Sequence, residues 1–146
     1  MNMTLTDVDK NNYEDVCDLT VADNQYEYVA DNTWSLVESK FNSSYQTRAI
    51  CLDGKPVGVF MWVPETERRI SIWRFMVDHN YQNKGIGRKA LLLALDEIKG
   101  TEGLEEIEIC YNPNNPVAKN FYASFGFVEM GMDGDGEDML AIIKTC

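Results

Sequence analysis

The chemistry of this chain gathers first at Val77-Asp-His-Asn-Tyr-Gln82-Asn-Lys-Gly85-Ile-Gly87. Glycine permits positive φ and lets another group approach the backbone closely. A glycine-rich turn at a helix start presents unpaired N–H groups and the positive end of the helix dipole. Such a turn can hold a phosphate or another anion. Other reactive side chains are sparse. His79 is the one histidine, and Cys17, Cys51, Cys110 and Cys146 include no C-x-x-C pair. Zinc-site spacing is absent, so no metal is expected. Asp133-Gly-Asp-Gly136 lacks the ligand spacing and distal glutamate of a calcium loop and reads as a turn.

The elements that must position the turn follow from periodicity. Ile70 to Val77 is β-leaning and leads into it. Arg88 to Lys99 leaves it as a helix, with Ala90, Leu91, Leu92, Ala94, Leu95 and Ile98 as the apolar stripe and Gly100 as the stop. Upstream, Met3 to Val8 alternates as a short strand, and Tyr13 to Leu19 fits one or two helical turns. Asn24 and Glu27 have capping-box spacing before a helical pattern of Tyr26, Val29, Ala30, Thr33, Trp34 and Val37. Glu27, Asp31 and Glu38 share a second face of that helix, as a solvated face or as a contact for a cation.

Gln46 to Leu52 and Pro56 to Val63 form a hairpin around Asp53-Gly54. Pro64 to Arg68 makes the next turn, so Ile70 to Val77 completes an antiparallel meander. Leu104 to Tyr111 is a further strand. The strand–helix–strand order predicts a right-handed crossover with parallel pairing. Asn115 reads as an N-cap with Pro116 at the first helical position. That helix runs through Phe121, Tyr122 and Phe125 to Gly126. Phe127 to Met130 and Met139 to Lys144 close the chain as a hairpin.

Composition sets outer bounds. One domain spanning residues 1–146 is expected at this length. Aspartate and glutamate total 24 against 13 lysines and arginines, a formal charge of −11. That excess argues against nucleic acid as a partner. It keeps the protein soluble, and it also suits a cationic small molecule. No apolar run reaches the length of a membrane span. Scattered cysteines and an N-terminus without signal-peptide features point to a cytoplasmic protein.

Two identities for the glycine turn compete. Gly85-Ile-Gly87-Arg-Lys-Ala90 fits the G-x-G-x-x-A dinucleotide fingerprint. In that fold the glycines follow the strand almost directly. Here a polar stretch intervenes, half the chain precedes the turn, and too little remains for a doubly wound sheet.

The same residues resemble a known family. Gln82-Asn-Lys-Gly85-Ile-Gly87 is similar to the Q/R-x-x-G-x-G/A acetyl-CoA loop of the GNAT N-acetyltransferases. Asn115-Pro-Val-Ala118-Lys-Asn-Phe-Tyr122-Ala-Ser-Phe-Gly-Phe127 resembles that family's N-x-x-A-x-x-x-Y…G-F block. The element order agrees over essentially the whole chain. The resemblance implies an α/β (α+β) fold, with a mixed, mostly antiparallel sheet of about six or seven strands flanked by about four helices.

It also implies roles. The loop amides of Gln82, Asn83, Lys84, Gly85, Ile86, Gly87 and Arg88 would hold the CoA pyrophosphate, with charge added by Lys84 and Arg88. A strand bulge at Phe75, Met76 and Val77 would pair with the pantetheine arm. A backbone N–H near Val77 would steady the developing oxyanion. Asn115 would touch the CoA arm, cap its helix, or do both. Tyr122 matches the general acid that protonates the departing thiolate. Glu108 is a candidate base on the strand after the loop helix, with Cys110 on the same side. His79 falls at a surface position in the family.

For the acceptor, Ile72 to Val77 with Gln82 to Gly85 resemble the diamine and spermidine/spermine branch. Glu27 and Asp31, with aromatic Tyr26 and Trp34, are candidate contacts for a polyamine. Another small amine, an aminoglycoside or a protein N-terminus is the alternative, and a non-catalytic acyl-CoA sensor is a third reading. The family resemblance leaves a homodimer open.

Overall fold

The computed structural model describes residues 2–20, 32–82 and 84–145, without the side chain of Pro116. Its strands are β1 (Met3–Asp7), β2 (Gln46–Leu52), β3 (Lys55–Thr66), β4 (Arg69–Val77), β5 (Glu106–Tyr111), β6 (Val128–Met132) and β7 (Met139–Lys144). They form one sheet in the order β1-β2-β3-β4-β5-β7-β6. The described helices are α1 (Tyr13–Asp18), α2 (Asn32–Phe41), α3 (Ile86–Lys99) and α4 (Pro116–Ala123). Among the described strands, only β4 and β5 pair in parallel. The helix between them is α3, as the strand–helix–strand order predicts. The capping box at Asn24 and Glu27 lies outside the described residues.

Burial decides which face each helix covers. Ile86, Ala90, Leu91, Ala94, Leu95 and Ile98 of α3 are buried. They pack on Ile50, Val57, Phe60, Ile72, Val77, Ile107 and Ile109 of the sheet. Leu92, expected in the same stripe, is 51% exposed because its position rotates it off the sheet. A smaller cluster lies on the opposite face, where Val16 of α1 meets Ala49, Cys51, Val59 and Met76. Emptying a site such as Leu91 to alanine costs about 2–5 kcal/mol.

Three features differ from the sequence reading, two in β3 and β4 and one in α3. The turn after β3 is shorter than Pro64 to Arg68, because β3 continues to Thr66, with Pro64 opposite Ile70, and only Glu67 and Arg68 lie before β4. The pairing of β2 with β3 stops at Gln46 and Trp62. Beyond that point the missing N–H of Pro64 interrupts no β2 pairing. The ladder irregularity in β4 sits at Trp73, ahead of Phe75 to Val77, since Trp62 pairs with Ile72 and Met61 with Arg74. It also switches the strand's phase. Ile70 and Ile72 before it and Phe75 and Val77 after it all meet the same core. Lastly, α3 begins at Ile86 rather than Arg88, with Gly85 as a left-handed N-cap at φ 76°.

The bulge marks the point where β4 loses a neighbour. Pairing between β4 and β5 covers Arg69 to Ile72 against Glu106 to Ile109 and then ends. Among the described residues, the β5 side of β4 has no strand partner from Trp73 to Val77. Gly58 holds the other side close. A Cβ there would lie 2.4 Å from the Met76 carbonyl oxygen, so β3 can support this part of β4 only with glycine.

Candidate active site

A cavity of about 1100 Å³ opens where β4 and β5 part. Its wall includes Phe75, Met76, Val77, Gln82, Gly85, Gly87, Arg88, Glu108, Asn115 and Tyr122. The structure therefore gathers ten residues singled out from sequence into one space. Of the other candidates, the described ones lie elsewhere. Ile86 is buried in the core under α3, and Lys84 is exposed with its ammonium 5.9 Å from the Tyr81 ring centroid. Trp34 is 62% exposed on α2 and does not line the cavity. Tyr26, Glu27, Asp31 and Asn83 lie outside the described residues. His79 sits in a 3-10 turn, its Nδ1 3.0 Å from Thr20 Oγ1, away from the cavity wall.

At the glycine end the site is backbone. No side chain caps Gly85, so the first-turn N–H groups of α3 are not satisfied by a capping residue. The turn before it is pinned. Gln82 Nε2 donates to the Val77 carbonyl at 2.9 Å. The buried carboxylate of Asp78 accepts from the backbone N–H of Thr20 at 2.9 Å and of Asn80 at 3.3 Å. Sequence reading gave Asp78 no role. Arg88 faces α4, donating to Ser124 Oγ at 2.6 Å with its guanidinium 4.6 Å from the Phe125 centroid.

The middle of the cavity holds the titratable groups. Asn115 caps α4, accepting from the Ala118 N–H at 3.3 Å. Tyr122, on the next turns of α4, stacks on Tyr111 with centroids 5.6 Å apart. Burial pushes its phenol well above the ordinary range, with Tyr111 adding to the shift. Tyr111 is itself fixed, donating to Glu129 Oε2 at 2.6 Å.

On β5, Ile107, Ile109 and Tyr111 join the core, so Glu106, Glu108 and Cys110 project from the other face. Glu108 is buried and registers opposite Ser71. Burial raises its pKa, opposed by Arg69 and by a hydrogen bond with Ser71. Burial pushes the Cys110 thiol up to about 12, and the charges of Glu108, Asp133, Asp138 and Glu65 add to it. A thiol held protonated in this way is a poor nucleophile.

The far end is acidic. Glu65, Glu108, Asp133, Asp135 and Asp138 all line it. The two arginines there are ion-paired, although the buried Arg74 Nε has no hydrogen-bond partner among the described residues. Arg69 Nε donates to Glu106 at 2.7 Å, and Arg74 Nη2 donates to Glu38 at 3.0 Å. Burial and the neighbouring Asp133 and Asp135 raise the pKa of Asp138. Of these five carboxylates, only Glu108 was singled out from sequence, and the Asp133-Gly-Asp-Gly136 segment was read only as a turn.

A family model described as the acetyltransferase (GNAT) family matches residues 11–127. The chain belongs to the GNAT acetyltransferase family. A spermine/spermidine N(1)-acetyltransferase of Bacillus subtilis strain 168 is 28% identical over 148 residues, covering 96% of this chain and 97% of that protein. The crystal structure of spermidine N-acetyltransferase from Vibrio cholerae, in complex with CoA and spermine, superposes with TM-score 0.78 at 18% identity. That match covers 98% of this chain and 95% of the other. The ribosomal-protein-S18-alanine N-acetyltransferase of Escherichia coli gives TM-score 0.72 at 17% identity, over 99% and 94% of the two chains. The fold is that of this GNAT group, and the chain is an acetyltransferase by family; the CoA held by the V. cholerae neighbour is the donor type against which its residues can be tested.

The residues present fit that donor. A β4 edge without a strand partner can pair with an extended amide-bearing arm. The uncapped start of α3 suits a pyrophosphate. No group of three or more metal-ligating side chains gathers among the described residues. No described helix is long and apolar enough to cross a membrane.

Proposed function

We propose that the protein transfers the acetyl group directly to a primary amine of a polyamine. The observation that carries this reading is the composition of the cavity's far end, where five carboxylates converge and both arginines are neutralised by partners. Such a space concentrates an extended cation and repels an anionic acceptor. The named activity of the B. subtilis relative supports the same substrate class.

Within this reading Glu108 is the base and Tyr122 the acid. An ammonium must lose a proton before its nitrogen can attack. Burial makes Glu108 more basic than a surface carboxylate, which suits that task. Glu108 takes one proton from the ammonium, which frees the lone pair that forms the N–C bond. Tyr122 gives its proton to the sulfur as the C–S bond breaks, and the second proton that the nitrogen sheds on becoming an amide restores the phenol. The raised phenol is not an obstacle. The same low-dielectric site disfavours a thiolate anion as well as a phenolate. Backbone groups of Phe75 to Val77 and the amides from Gln82 to Arg88 hold the donor. The high pKa of Cys110 supports direct transfer over an acyl-cysteine route. Free Cys17, Cys51 and Cys110 agree with a cytoplasmic setting.

The test is CoA release from acetyl-CoA across a panel of spermidine, spermine, diamines, an aminoglycoside and an alanine-led peptide. Spermidine or spermine should give the highest kcat/KM. A peptide-only rate would replace polyamine by protein N-terminus. CoA binding without turnover on any amine would favour a sensor. In Tyr122→Phe, kcat should fall about 100-fold with little change in either KM. An unchanged kcat would remove Tyr122 from the mechanism.

A further inference from the structure

The antiparallel ladder between β3 and β4 breaks twice on its way to the cavity. One break leaves Glu65 outside the register, between the pairs Pro64–Ile70 and Thr66–Arg69. The other leaves Trp73 outside it, between Trp62–Ile72 and Met61–Arg74. Bulges re-aim side chains and recur beside active sites. Here the two displaced residues meet. The Trp73 indole N–H donates to Glu65 Oε1 at 2.9 Å. Tyr45 packs against the same ring, with centroids 5.1 Å apart and planes at 65°. Glu65 and Trp73 both line the cavity.

This arrangement determines what the indole can offer a ligand. Its single donor is taken by Glu65. What remains is a half-buried ring with an electron-rich face, held from two sides and next to a carboxylate. A neutral or anionic ligand group gains little from that pair. An ammonium gains from both the ring and the carboxylate, more so where water is partly excluded. The nearby guanidinium groups of Arg69 and Arg74 are ion-paired with Glu106 and Glu38, so their charge is offset.

We propose that Trp73, oriented by Glu65, is a specificity-determining residue that receives the second, non-reacting ammonium of the acceptor. The inference rests on the polycationic reading of the substrate. It assigns the cation–π role to a strand bulge, in place of the early-helix aromatics Tyr26 and Trp34 expected from sequence.

The experiment compares a diamine with the alkylamine of equal length in wild type, Trp73→Leu, Trp73→Phe and Glu65→Gln. Wild type should prefer the diamine in kcat/KM. Trp73→Leu should raise the diamine KM about tenfold while kcat, the alkylamine KM and the acetyl-CoA KM change little. Trp73→Phe keeps a ring face and should recover most of the diamine preference. Glu65→Gln should fall between wild type and Trp73→Leu. An unchanged diamine-to-alkylamine ratio in Trp73→Leu overturns the inference and leaves the polyamine reading standing. A wild type with no diamine preference overturns both. The acetyl-CoA KM reports on folding, so a general loss of structure is separated from a loss of selectivity.

Discussion

The two ends of the cavity are built from different material. The glycine end is main chain: an uncapped helix start, a left-handed Gly85 and the unpaired edge of β4. The acidic end is side chain, contributed by β3 through Glu65, β5 through Glu108 and the β6–β7 connection through Asp133, Asp135 and Asp138. A main-chain site recognises what every donor of one type shares, namely a pyrophosphate and an amide arm. A side-chain site can change its ligand without disturbing the sheet. The division predicts that damage to the first end abolishes donor binding, whereas damage to the second alters acceptor choice.

The largest effect should come from filling the glycine end, the proposed donor site. A Cβ at Gly87 would sit 3.9 Å from Phe121 Cζ, Phe75 Cζ and Val77 Cγ2, ordinary contact distances. Gly87→Ala should therefore fold and bind donor with only a modest loss. Gly87→Trp places a large ring in the cavity and should weaken acetyl-CoA at least about 100-fold, or about 3 kcal/mol. Titration calorimetry with CoA reads both variants. Equal affinities in wild type and Gly87→Trp would move the donor away from this turn.

The same division explains what was legible in sequence. Main-chain sites need special backbone at consecutive positions, so Gln82 to Arg88 carry their signal locally. The parallel crossover was legible too, because the alternation in β5 and the 3.6-residue period in α3 stand on either side of Gly100. The acidic end has no such local trace. Glu65 and Asp138 are far apart in the chain and meet only through sheet order. The bulge at Trp73 was misplaced because nothing in Ile72-Trp-Arg-Phe marks which residue drops out of register. Leu92 was assigned to the buried stripe from its type, and its angle around α3 decided otherwise.

A smaller effect is expected at the acidic end. Asp135→Asn and Asp138→Asn each remove one charge from the wall while preserving shape. Each should raise the KM for a polyamine about threefold at low salt, since partly exposed charges are worth well under 1 kcal/mol apiece. The effect should shrink as salt rises. The acetyl-CoA KM should stay level. A change in donor KM of the same size would mean that the two ends are not separate.

The finest test lies within β5, where Glu106 and Glu108 share a face two residues apart yet titrate in opposite directions. Lys144 and Arg69 hydrogen-bond to Glu106 and hold its carboxyl below the ordinary range. A group with a lowered folded pKa stabilises the fold above its unfolded value near about 4.3 and loses that contribution as pH falls through the folded value. Glu108 is raised by burial. Its contribution is complete below the unfolded value and is lost as pH rises through the folded one. Glu106→Gln should therefore be less stable than wild type at neutral pH, by about 1 kcal/mol, with the gap closing in acid. Glu108→Gln should be more stable than wild type at neutral pH, with its advantage also vanishing in acid. Urea midpoints at about pH 7 and about pH 4 give the two signs. Opposite signs would identify Glu108 as a residue kept against the fold's own stability, as expected of a base buried for use. A destabilised Glu108→Gln at neutral pH would instead make Glu108, like Glu106, a structural carboxylate, and the proton acceptor would have to be sought elsewhere on the acidic wall.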